Sequence, residues 1–307
     1  MVKVLHIKCK ASPSLSHENL SVSGDNLMYL HLNEAHIVKS GSLSDASSNR
    51  APSTVVAYVE KDPIVCAKFC SFDHGVCIVI ITLHGVIQVF DVTGQKLLHS
   101  YSESGKTHLK GLAFTNKQFF VGTGSGEILV FSIDSSNLKP HGAFPAHTGA
   151  ISALVVDPKH NILASGGADG RIKFWSVSNM SPKGESKPDG FPVTCLSSNE
   201  SMLVAGTANG KLKIFSLAKS GVVTLSCVIA AHTRSVSAVH CHPRQDLVAS
   251  NSEDTFVNVY SFAPQAVQLV AQVSPNDALL TGLVWFDKAM LAITAYDSRY
   301  ISVLELD

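Results

Sequence analysis

Four side chains near the middle of this 307-residue chain have the types and spacing of a hydrogen-bonded relay. Ser165, Asp169 and Trp175 follow His147 by 18, 22 and 28 residues. A serine, a histidine and an aspartate are the ingredients of nucleophilic acyl transfer, in which the imidazole takes the serine proton and the carboxylate orients the ring. Ser165, however, lies in LASGGADG, with no GxSxG elbow and no helical pattern behind it. The set is therefore not read as a catalytic triad, and the chain is read as non-catalytic. His232, Ser250, Asp254 and Tyr260 repeat the spacing, with a phenol that donates from a different position than the indole.

Other reactive residues form no site. His240 and His242 share a strand face with Cys241 opposite, but no further ligand stands at a metal-binding spacing. Cys66 and Cys70 are four apart on a strand, too far to chelate one ion unaided. The glycines of GTGSGE (122–127) resemble a phosphate loop, yet a strand rather than a helix follows. They supply positive φ in hairpin turns, as do ADG (168–170) and ANG (208–210). No metal and no cofactor is expected.

The elements that position these residues are short strands. Helical periodicity is almost absent, and runs of Val, Ile and Phe alternate with Gly, Asn, Asp, Ser and Pro. The segments 146–177 and 231–262 repeat one another, and 192–217 fits between them. Weaker copies lie at 79–92, 121–133 and 292–306. The units end at Phe90, Phe131, Trp175, Phe215, Tyr260 and Val303, giving steps of 41, 44, 40, 45 and 43 residues. A period in the low forties, with four strands per unit, predicts propeller blades. Residues 19–40 read as one more degenerate blade, which makes seven. The last unit lacks a fourth strand, whereas VKVLHIKC (2–9) is a strand left over at the start. It is expected to complete the last blade and close the ring. The chain thus reads as one all-β, seven-bladed domain over 1–307, with 1–10 as its closing strand and the Ser-rich 40–53 as a flexible surface loop.

Composition narrows the function. Lys plus Arg and Asp plus Glu both number 24, so nothing points to a phosphate-gripping nucleic-acid binder. The seven scattered cysteines fit reduced thiols better than a disulfide framework. No apolar run is long enough to cross a bilayer, and the N-terminus has no signal-peptide core. A soluble cytoplasmic protein is expected, with no membrane insertion.

The Ala-His openings, the turn aspartates and the closing Trp175 resemble WD repeats, most sharply at 146–177 and 231–262. The resemblance implies that His147, Ser165, Asp169 and Trp175 form a structural tetrad, with indole, hydroxyl, imidazole and carboxylate linked in a chain at about 1 kcal/mol net per bond, and that His232, Ser250, Asp254 and Tyr260 form an incomplete one. It also implies an interaction scaffold for a protein or peptide on one propeller face. The loops before the innermost strands and the turns between the middle strands form the expected rim, with His84, His108, Phe191, Arg234, Tyr296 and Arg299 as the residues facing a partner. The alternative is a reader of a small molecule or modified peptide in the central channel.

Overall fold

A computed structural model of the chain describes residues 3–9, 12–40, 54–58, 62–102, 108–134, 137–218, 220–263, 266–275, 277–286 and 289–306. They form seven antiparallel sheets of four strands. After β1 (Lys3–Lys8), blade 1 contains β2 (Ser21–Ser23), β3 (Asn26–His31), β4 (Glu34–Lys39) and β5 (Thr54–Tyr58). Blade 2 contains β6 (Ile64–Phe72), β7 (Gly75–Thr82), β8 (Val86–Asp91) and β9 (Leu97–Ser102). Blade 3 contains β10 (Lys110–Phe114), β11 (Gln118–Gly122), β12 (Glu127–Ile133) and β13 (Leu138–Pro145). Blade 4 contains β14 (Ile151–Asp157), β15 (Ile162–Gly167), β16 (Ile172–Ser176) and β17 (Pro182–Glu185). Blade 5 contains β18 (Val193–Ser198), β19 (Met202–Thr207), β20 (Lys211–Leu217) and β21 (Val223–Ala230). Blade 6 contains β22 (Val236–Cys241), β23 (Leu247–Ser252), β24 (Val257–Ala263) and β25 (Ala266–Val273). Blade 7 contains β26 (Leu280–Trp285), β27 (Met290–Ala295) and β28 (Tyr300–Glu305), and takes β1 as its outermost strand.

The first strands touch in ring order, β2 to β6, β10, β14, β18, β22, β26 and back to β2. Each blade packs both faces against its neighbours, so the inner strands are buried on both sides and read as continuous apolar runs. Every residue of β15, β19 and β26 is buried, whereas the outermost β13 and β21 are mostly exposed.

Closure follows the expectation from the sequence. β1 pairs antiparallel with β28 from Lys3 opposite Glu305 to Lys8 opposite Tyr300. Ile7, 2% exposed, packs in a cluster with Leu27, Tyr29 and Val38 of blade 1 and with Ile301 and Val303 of blade 7. Asn19 ties the inner side of this seam. Its side chain accepts from Leu30 N (2.7 Å) and donates to Leu30 O (3.2 Å), while its carbonyl accepts from Thr294 Oγ1 (3.2 Å). Most of the Ser-rich stretch expected as a loop, 41–53, lies outside the described residues.

Candidate functional site

Antiparallel order puts two sets of loops at one end of every blade: the connections arriving from the previous blade, and the turns between second and third strands. Together they form one rim around the channel. The tetrad residues sit just beneath it. His147 arrives on the connection before β14, Ser165 lies on β15, Asp169 in the following turn, and Trp175 on β16. Trp175 Nε1 donates to Ser165 Oγ (3.0 Å), Ser165 Oγ lies 2.8 Å from His147 Nε2, and His147 Nδ1 lies 3.0 Å from Asp169 Oδ1. A neutral imidazole carrying its proton on Nδ1 satisfies every link, with the serine hydroxyl donating to Nε2. Burial pushes the His147 pKa down and favours that neutral form, against the opposing pull of Asp169. Asp169 also accepts from the backbone N–H groups of Thr148 (3.2 Å) and Arg171 (3.0 Å). Although burial opposes its charge, these N–H groups and His147 hold its carboxyl below the usual carboxylate range. The order Ser–His–Asp is that of a hydrolase triad, but Ser165 is wholly buried and its oxygen is already occupied by the indole. The four side chains tie β15, β16 and the turn between them to the connection before β14.

Blade 6 repeats the brace without its far end. His232 Nε2 lies 2.9 Å from Ser250 Oγ, and its Nδ1 lies 3.1 Å from both Asp254 oxygens. Tyr260 occupies the register position of Trp175, opposite Val248 as Trp175 is opposite Leu163. Among the described hydrogen bonds Ser250 receives none from Tyr260, whose hydroxyl lies beside Asn258.

A second way of bracing this turn left no cue in the spacing of the histidines. Thr82 and Thr207 end the second strands of blades 2 and 5, and Thr123 directly follows that of blade 3. Each hydroxyl receives the backbone N–H four residues on, from Val86 (3.0 Å), Glu127 (2.9 Å) and Lys211 (3.1 Å). In blade 4 the corresponding residue is Gly167, where an added Cβ would sit 2.5 Å from His147 Nδ1. The threonine brace and the histidine brace thus compete for one space. The recurring TLHGV, TGSGE and TANGK were the available signal.

The rim residues expected from the sequence lie at this one end and are exposed. His108 has φ +63°, Phe191 is 44% and Tyr296 48% exposed, and Arg299 follows in the β27–β28 turn. Two are engaged locally. His84 Nδ1 lies 2.7 Å from the Asp62 carboxylate, and Arg234 lies 3.6 Å from Glu253. The sequence reading missed four exposed apolar residues on the same rim: Leu15, Leu32, Phe256 and Leu279.

Beneath the rim the central channel holds a cavity of about 340 Å³, lined by all seven innermost strands. Glu18 reaches across it. One carboxylate oxygen lies 3.2 Å from Lys68 Nζ of blade 2, and the other accepts from Leu196 N of blade 5 (3.4 Å). Burial works against the Lys68 charge, but Glu18 offsets this and its pKa rises. The residues 12–20 therefore form a strap over the rim-side mouth. His240 lines the cavity, while His242 packs edge-on against Trp285 and accepts the N–H groups of Arg244 and Gln245. Among the described residues no three or more His, Cys, Asp or Glu side chains gather as metal ligands.

Burial, with repulsion from Lys68, pushes the His240 pKa from 6.5 down to about 4. In the unfolded chain the imidazole takes its proton first as pH falls, so acid favours unfolding. The folded state should lose about 3 kcal/mol of stability from this group between pH 6.5 and 4. Urea unfolding at pH 7 and pH 4 checks this, with His240→Gln expected to have the shallower pH dependence. Equal slopes for both proteins would show that His240 is not the group that titrates.

The description WD domain, G-beta repeat matches residues 138–176, 183–216 and 223–261. These residues carry WD repeats. The matched repeats straddle blades, since 138–176 joins β13 of blade 3 to the first three strands of blade 4. This offset also makes β1 the closing strand of blade 7. WD repeat domain 54 of Rattus norvegicus is 26% identical over 60% of this chain and 58% of its own length. Striatin of Mus musculus is 24% identical over 48% of this chain, and THO complex subunit 3 of Arabidopsis thaliana is 31% identical over 31%. The matches cover 22% of striatin and 29% of the THO subunit. A chain in the Crystal Structure of Mitotic Checkpoint Complex superposes with a TM-score of 0.81 at 14% identity, over 99% of this chain and 91% of that one, which shows the fold alone.

Proposed function

We propose that this protein is a non-catalytic cytoplasmic scaffold that holds a protein or peptide partner on the rim. One observation carries the reading. Six large apolar residues are exposed on the rim (Leu15, Leu32, Phe191, Phe256, Leu279 and Tyr296), against Val92 and Val222 among the described loops of the opposite face. Apart from Phe191 they lie on the adjoining blades 6, 7 and 1. Large apolar side chains exposed mainly on one face suit a binding surface. Striatin and a THO complex subunit, both WD relatives, suit a role within assemblies. The seven unpaired thiols suit a reducing compartment. The strap over the channel mouth favours binding across the rim rather than within the channel.

Affinity purification with mass spectrometry from native cytosol tests this, comparing the wild type with the folded variant His108→Glu, Phe191→Glu and Arg234→Glu. Partners are expected to drop out of the variant's preparation. An unchanged partner set would exclude the rim of blades 3, 5 and 6 as the binding surface.

A further inference from the structure

We infer that the outer edges of blades 5 and 6 are a self-association surface, on which β21 pairs antiparallel with β21 of a second copy of this chain. The surface lies on the outer wall of the ring, away from the rim, and does not rest on the rim reading. Each blade leaves one side of its outermost strand without a neighbouring strand. Such an edge is a template for another chain unless charge, proline or shortness blunts it. β1 carries Lys3 and Lys8, β13 carries Lys139 and Pro140, and β17 carries Pro182, Lys183 and Glu185. β5 and β9 are short, at five and six residues. β21 (VTLSCVIA) and β25 (AVQLVAQV) run for eight residues each with no charge, proline or glycine.

These two strands also present apolar side chains to solvent. Leu225, Leu269 and Val270 are 49%, 52% and 54% exposed, and Val228 and Val267 are exposed as well. A groove of about 420 Å³ joins the two edges into one surface. Ser226 and Cys227 of β21 line it together with Ala266 and Val267 of β25. Beneath it, Cys227 and Phe262 pack against one apolar cluster shared by blades 5 and 6.

Symmetry, charge and size specify the occupant. Antiparallel pairing of a strand with its own copy takes a two-fold axis normal to the shared sheet, so each β21 meets the residues it presents. The same axis sets blade 6 of both copies on one side of the joined sheet, where the two β25 edges and the two grooves flank the joint. This accounts for an apolar edge that extends over two neighbouring blades, whereas a lone strand added to β21 leaves β25 uncovered. Neither strand offers a charge to an acidic or basic partner, and a formal net charge of zero sets no overall repulsion between copies. Two edges of eight residues fall below the roughly 20–30 residues a side of a standard interface, so the dimer is weak and forms with rising concentration.

Sedimentation velocity of the full chain between about 1 and 100 µM tests this. The wild type is expected to pass from monomer to dimer over that range. Leu225→Lys with Leu269→Lys should need at least about tenfold more protein for the same dimer fraction. Both leucines are exposed, so this variant should melt with the wild type. The rim variant His108→Glu, Phe191→Glu and Arg234→Glu should dimerise as the wild type does. Hydrogen exchange of the wild type at the two ends of the range gives a readout that needs no variant, with β21 expected to slow at the higher concentration. A wild type that stays monomeric at about 100 µM would overturn the inference. So would a dimer that the two lysines leave intact, or one whose slowed exchange lies outside blades 5 and 6. Open-ended oligomers would overturn the two-fold pairing. A dimer lost only in the rim variant would overturn the edge assignment and leave the rim reading standing.

Discussion

Deleting residues 1–10 is expected to lower the melting temperature by on the order of 10 °C, at about 2–4 °C per kcal/mol lost in a domain of this kind. The deletion removes all of β1 and its pairing with β28. It strips Ile7 from the cluster that joins blades 7 and 1, and emptying a buried aliphatic site alone costs about 2–5 kcal/mol. It also leaves β28 as an unpaired edge open to association with other chains. The inner seam at Asn19 remains, so the expected product is a loosened ring rather than an unfolded chain. Differential scanning calorimetry reads the effect. An unchanged melting curve would mean that the ring does not depend on this strand.

Asp169→Ala is expected to destabilise the fold by about 2–4 kcal/mol, because it removes the acceptor of three N–H groups at once. His147 Nδ1 and the backbone N–H groups of Thr148 and Arg171 all point at that carboxylate. The two braces supply an internal comparison. Ser165 links both an indole and an imidazole, whereas Ser250 links an imidazole alone. Ser165→Ala should therefore cost about 1 kcal/mol more than Ser250→Ala, the worth of one further hydrogen bond. Urea unfolding of the three variants measures this. Full stability in Asp169→Ala, combined with loss of a hydrolytic activity, would instead make the set a catalytic triad.

The ring was readable in the sequence because blades repeat. The 18, 22 and 28-residue offsets from His147 and from His232 are set by strand and turn lengths that every blade shares. The spare strand at the start predicted closure because the last unit lacked the fourth strand that the other units have. Contacts across the ring left no such trace. Glu18 meets Lys68 and Leu196 only because seven blades bend the chain into a circle, and no local pattern encodes that distance. The loops at the rim end were legible as loops, but the exposure of their apolar residues was not, for a physical reason. Exposure of Leu15 and Leu32 depends on packing. The one available cue was the pair Leu32-Asn33, where a two-residue turn favours Asn-Gly.

Hydrogen exchange of the protein purified with its native partners, compared with the free chain, tests the rim assignment most directly. The account predicts slowed exchange in the strap at 12–20, the β3–β4 turn and the rim loops of blades 5, 6 and 7, with the opposite loops unchanged. Slowing confined to the opposite loops, or to the outer strands β21 and β25, would contradict it.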